Sequence, residues 1–174
     1  LRLSQRLGIS STEFLEKHTL LPVQKDMTTP VVLLKMGEDE DHACPFLTEE
    51  GCGVYTDRPW PCRMYPVGLA TSLDTPDGMP GERFYFLLQE EGCMGFGETK
   101  EWTIGEWLDD QDVDAFDKWG EAYKELSLHP FFETGVLVPE KMEMFFNATY
   151  DLTKSRAFVS GSTRLERFEL HEDF

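Results

Sequence analysis

Basic residues are scarce in this chain: 16 Lys and Arg stand against 33 Asp and Glu, a formal net charge of −17 over 174 residues. A surface this acidic repels phosphate backbones and anionic lipid headgroups, which argues against nucleic acid and membranes as partners. Long apolar runs are missing too. None approaches the ~20 residues of a membrane-spanning helix, and no signal-peptide pattern is visible. Cysteine is sparse, with four in the chain, too few to replace a core with disulfides as short secreted domains do. With 40% hydrophobic residues, the chain has enough apolar material for an ordinary core. The expected setting is cytoplasmic and thiol-reducing.

Local signals predict an irregular, mostly helical α+β domain with a few short strands. Leu1, Leu3, Leu7 and Ile9 fit a helix that stops near Gly8. Ser10, with Glu13 three residues on, opens a second helix that ends before Pro22. The β-branched run Pro30–Met36 and the segment Arg83–Glu90 read as strands. Thr103 and Glu106 form a capping-box pattern ahead of Ile104, Trp107 and Leu108. Val113, Phe116, Trp119, Tyr123 and Leu126 keep helical spacing. A further helix is expected from Pro139 to about Lys154, and Leu73–Glu82 reads as a turn-rich excursion. Residues 1–110 are expected to form a cysteine-bearing region, with 111–174 as the helical C-terminal part of the same domain.

Cys44, Cys52 and Cys62 crowd into one turn-rich stretch, with seven and nine residues intervening, and Cys93 lies downstream. Pro45, Gly51, Gly53, Pro59, Pro61 and Pro66 punctuate that stretch, so it reads as ordered coil with one helical turn near Cys62. Four thiolates match the ligand count of a tetrahedral zinc site or an iron–sulfur cluster. The spacing matches neither the paired C-x2-C knuckles of zinc ribbons nor a ferredoxin run. Arg58 and Arg63 flank Cys62 and would offset the negative charge of a thiolate centre. Tyr55 and Tyr65 can donate phenolic hydrogen bonds or fill space. The residues leave three readings open: metal ligands, a disulfide such as Cys44–Cys52, and inert core thiols. His42 is a further candidate ligand, although a lone histidine beside the acidic run Glu38–Asp41 is commonly a surface residue.

The segments CPFL and GCGVYTDRPWPCRMYP, followed by Cys93 in a glycine-rich turn, resemble the YkgJ-like cysteine-cluster family, described as zinc- or iron-chelating. The matching positions are Cys44, Pro45, Phe46, Leu47, Cys52, Tyr55, Arg58, Pro59, Cys62, Arg63, Tyr65, Pro66 and Cys93, and the likeness extends over roughly residues 1–110. The family pattern carries further cysteines ahead of its first helix, whereas no cysteine precedes Cys44 in this sequence. The resemblance implies a metal centre, an iron–sulfur cluster slightly ahead of zinc, with Cys44, Cys52, Cys62 and Cys93 as ligands and Arg58, Arg63 and Tyr65 around it. One branch of the family resembles flagellin lysine N-methylases, which implies redox or methyl-transfer chemistry.

No residue group in the chain argues a methyl-donor site, and no nucleophilic triad can be assembled from His18, His42, His129 and His171. The rival is a non-enzymatic accessory protein that docks a protein partner and whose cysteines are structural, through zinc or a disulfide. An enzyme should show a pocket beside the centre that contains both arginines. An accessory protein should show a closed site and an exposed aromatic patch. Trp102, Trp107, Trp119 and the Phe131–Phe132 and Phe145–Phe146 pairs are expected in the core of the helical part.

Overall fold

The computed structural model describes residues 1–22, 29–38, 40–71, 82–91, 93–135 and 137–162. In chain order these form α1 (Arg2–Leu7), α2 (Ser11–His18), β1 (Thr19–Leu20), β2 (Leu33–Leu34), β3 (Leu47–Thr48) and β4 (Gly51–Cys52). There follow α3 (Trp60–Met64), β5 (Val67–Thr71), β6 (Arg83–Leu87), α4 (Ile104–Asp110) and α5 (Val113–Ser127). The last elements are α6 (Phe131–Thr134), α7 (Pro139–Thr149) and α8 (Leu152–Ser160). The strands pair antiparallel, β1 with β2, β3 with β4 and β5 with β6, so the fold is mixed α+β and dominated by helices. Contacts divide the chain into two compact units, Leu1–Asp57 with Ser127–Phe174, and Arg58–Leu126. The division expected near residue 110 falls inside the second of these.

In the first unit the helix boundaries follow local chemistry. Gly8 ends α1 in the left-handed conformation, at φ 68°, which costs a residue with a side chain about 1–2 kcal/mol. Ser10 caps α2 by accepting the Glu13 N–H at 3.1 Å. Of the apolar run expected as one strand over Pro30–Met36, Leu33–Leu34 form a strand against the two residues of β1, and the Lys35 N–H adds a bond to the His18 carbonyl at 2.8 Å. Leu3, Phe14, Phe46 and Val54 form the core, with Ile9, Leu34, Cys44 and Cys52 packed against them.

The helix expected from Pro139 to Lys154 is in fact two. Pro139 does start α7, in its first turn, but the chain breaks at Tyr150 and Asp151 before α8 begins. Asp151 is 1% exposed, and a carboxylate that dry must be fully hydrogen-bonded. It accepts the Ser11 hydroxyl at 3.0 Å, the Thr12 hydroxyl at 2.8 Å and the Lys154 N–H at 3.2 Å. Thr153 donates its N–H to Ser11 Oγ at 2.8 Å, completing a lock between α2 and α8. Burial alone would raise the Asp151 pKa. The bonds from Thr12, Lys154 N–H and Ser11, with the Lys154 charge, outweigh it and hold the carboxyl below its ordinary range.

In the second unit Met64, Val67 and Val113 are buried, with Trp60, Leu69, Tyr85, Trp107 and Leu108 around them. Thr103 caps α4 with the predicted box: its Oγ1 accepts the Glu106 N–H at 3.3 Å, and Glu106 Oε2 accepts the Thr103 N–H at 2.9 Å. These bonds draw the Glu106 carboxyl below the usual range. The strand β5 directly follows the proline-punctuated stretch and has no alternating pattern of its own. Its partner β6 makes it a strand, with Gly68 opposite Phe86. A Cβ on Gly68 would lie 2.5 Å from the Phe86 ring, so glycine is what lets the ring lie flat on the neighbouring strand. Trp119, expected in the core, is 78% exposed on α5.

Asp151 gives an acid-sensitive contribution with a defined sign. Its folded pKa is depressed, so the stabilisation is fully present above the ordinary value of 3.8 and is lost as pH falls through the folded value. Asp151→Ala is expected to cost about 3 kcal/mol at neutral pH through the lost cap and the unsatisfied hydroxyls. Asp151→Asn should flatten the acid limb of the stability profile, read from urea midpoints across the acidic range. An unchanged acid limb would contradict this account.

Candidate functional site

Cys44 and Cys52 are held by one small hairpin in the first unit. The Leu47 N–H donates to the Cys44 carbonyl at 3.0 Å, and the Gly53 N–H to the Phe46 carbonyl at 2.9 Å. Leu47 pairs with Cys52 across β3 and β4. The hairpin closes because Gly51 takes φ 109° and Thr48 Oγ1 donates to the Gly51 carbonyl at 2.8 Å. Phe46 drops into the core beside both cysteines, and both thiols are half-buried.

Cys62 and Cys93 belong to the second unit. Cys62 lies in α3, the helical turn foreseen there, and is exposed. Cys93 is half-buried and precedes a 3-10 turn, Met94–Gly97. Tyr65 is hydrogen-bonded to the Cys93 side chain. That bond first, then burial and the charges of Cys93 and Glu90, pushes the phenol up to about 12. Tyr65 thus sits against one of the four cysteines.

The two arginines have a different setting. Arg63 is 5% exposed. Its Nη1 donates to the Gln111 carbonyl at 2.8 Å and its Nε to the Arg58 carbonyl at 3.0 Å, while its guanidinium lies 4.2 Å from the centroid of the Phe116 ring. Arg58 Nη2 donates to Gln111 Oε1 at 2.7 Å, and Gln111 Nε2 donates to Asp110 at 2.7 Å. Both guanidinium groups thus lock α3 to the α4–α5 turn.

Donor chemistry fits a thiophilic metal or cluster, since four thiols are present and none is tied up in a disulfide. Convergence is not seen: among the described residues no three His, Cys, Asp or Glu side chains stand together as a metal would need them. His42 is exposed, with Nδ1 at 3.2 Å from the Gly37 carbonyl. His18 lies between the Phe14 and Phe46 rings, with centroids 5.3 and 5.6 Å away, and His129 accepts the Phe131 N–H. His171 lies outside the described residues, as do Gly92 and most of the excursion Leu73–Glu82. Tyr55 is exposed.

No family model, curated protein or solved structure matches the chain.

Beside Tyr65 and Cys93 opens a pocket of about 1040 Å³, entirely within the second unit. The arginines expected in such a pocket are not among its described lining residues. Tyr85, Phe86, Phe96, Trp102 and Trp107 line it instead. Sequence reasoning assigned Trp102 and Trp107 to the core because aromatic spacing alone cannot separate a core face from a pocket wall. The available signal was the aromatic density from Phe84 to Trp107 beside two glycine-rich turns.

The Arg63 geometry yields a direct test. Arg63→Lys loses the fork that serves two carbonyls and the flat contact on Phe116, and is expected to destabilise the protein by about 2 kcal/mol. Arg63→Ala should cost more. Chemical denaturation followed by tryptophan fluorescence checks both, and equal stability of Arg63→Lys and the parent would refute the assignment.

Proposed function

We propose that this chain is a metal-binding protein of the YkgJ-like cysteine-cluster type, holding an iron–sulfur cluster or zinc through Cys44, Cys52, Cys62 and Cys93. The observation that carries this reading is the state of the thiols. None is joined in a disulfide; three are half-buried and Cys62 is exposed. Cysteines that only fill space rank among the most buried side chains, whereas thiols that bind metal or react need access. The placement of Cys44 and Cys52 against the same core cluster, one just before the hairpin and one on it, supports the same reading. Tyr65, bonded to Cys93, is the neighbouring residue best placed to tune a thiolate ligand, since outer hydrogen bonds adjust ligand basicity. Arg58 and Arg63 contribute by fixing the helix that carries Cys62. Redox or methyl-transfer chemistry, with a small-molecule methyl donor, rests on the resemblance alone.

The exposed Phe84, Met94 and Trp119 favour a second reading, a non-enzymatic accessory protein that docks a protein partner. In that case the cysteines are structural.

Metal analysis and an absorption spectrum on anaerobically purified protein separate the readings. Brown protein with iron and acid-labile sulfide is expected for a cluster, and colourless protein with stoichiometric zinc for the other metal. Serine at any one of the four cysteines should lower metal content several-fold. Metal-free protein whose four thiols all react readily with a thiol reagent would sink the metal reading.

A further inference from the structure

We propose that the pocket in the second unit is a binding site for a flat, multi-ring aromatic molecule that carries no negative charge. Its volume, about 1040 Å³, stands at the upper end of the range that holds small-molecule ligands, roughly 300–1,000 Å³. Its walls are ring faces and edges held in place from behind. Trp107 is fixed by its Nε1–H, which donates to the Met64 carbonyl at 3.1 Å. Trp102 stands edge-on to it, with centroids 5.6 Å apart and an interplanar angle of 84°. Phe86 is held over Gly68, where even a methyl group would collide with the ring. A preformed aromatic wall loses little freedom on binding and offers a planar ligand stacking and edge contacts that an aliphatic chain cannot use.

The walls are also too wet for a finished core. Phe86 is 44% exposed and Trp102 37%, which is costly apolar surface unless something covers it. Charge selects the ligand further. Among the described lining residues Glu98 and Glu101 stand against one cation, Lys100, and the Lys100 ammonium lies 3.3 Å from the Trp102 ring centroid, engaged in a cation–π contact. On a chain of net charge −17 this wall repels anions. The Tyr65 hydroxyl and the Cys93 thiol supply the polar contacts that would orient a ligand.

Two dyes with the same ring skeleton test the proposal: neutral phenylnaphthylamine and its anionic relative anilinonaphthalene sulfonate. The neutral dye should give a saturable fluorescence rise at one site per chain, with at least about ten-fold tighter binding than the sulfonate. Trp102→Ala should weaken the neutral dye about ten-fold while leaving the far-ultraviolet circular dichroism unchanged. Phe84→Ala, which removes an exposed ring outside the lining, should leave binding as it was. Glu98→Lys with Glu101→Lys, both at exposed positions, should remove the preference for the neutral dye. Non-saturable binding, equal affinity for both dyes, or full binding by Trp102→Ala overturns the proposal. The titration reads pocket occupancy on the purified protein whatever its metal content, so its failure and the failure of the metal reading are separate results.

Discussion

A charged side chain withdrawn from water must find every one of its partners inside the protein, and each unit of this fold is organised around one such group. In the second unit it is Arg63, whose guanidinium reaches the carbonyls of Arg58 and Gln111 and lies on Phe116. In the first it is Asp151, which gathers two hydroxyls from α2 and a backbone N–H of α8. An unpaired charge at either place would cost far more than a typical contact contributes. The requirement fixes neighbours that the small apolar cores leave loosely specified. Among the described residues the buried apolar side chains are Leu3, Phe14, Phe46 and Val54 in one unit and Met64, Val67 and Val113 in the other. The polar locks supply the orientation that larger cores obtain from packing.

What could be read from the sequence was what depends on a few adjacent residues. Gly8, Ser10, Thr103 with Glu106, and Pro139 all stand at helix boundaries where their side-chain chemistry puts them. The stripe from Val113 to Leu126 is a helix, and the strand after Glu82 begins at Arg83. What could not be read depends on a distant partner. β5 is a strand because β6 lies beside it, and β2 because β1 does. The break at Asp151 answers to Ser11 and Thr12, about 140 residues away in sequence. Trp119 shares its helical spacing with Phe116, yet one side chain meets a guanidinium and the other meets water.

The same limit applied to the candidate site. Arg58 and Arg63 stood out by charge beside Cys62, and charge is the right criterion for offsetting a thiolate centre. Charge does not reveal which way a side chain points: Arg58 reaches the Gln111 side chain, and Arg63 reaches the Gln111 and Arg58 carbonyls and the Phe116 ring. Tyr65 carries no charge, yet it is hydrogen-bonded to a cysteine.

Cys93 is where the two features of the second unit meet. It belongs to the cysteine set and it lines the aromatic pocket. A Cβ added at Gly95 would sit 3.7 Å from its sulfur, in ordinary contact, so the turn after Cys93 packs against the thiol. Tyr65, the residue that ends α3, is bonded to Cys93, and Trp107 is pinned to the Met64 carbonyl one residue earlier. The helix that carries Cys62 therefore also sets the back wall of the pocket. Arg63, in the same helix, makes that placement rigid through its carbonyl partners. The segment Cys62–Tyr65 thus serves both features at once, since it carries one thiol, bonds a second through Tyr65 and anchors Trp107 through the Met64 carbonyl.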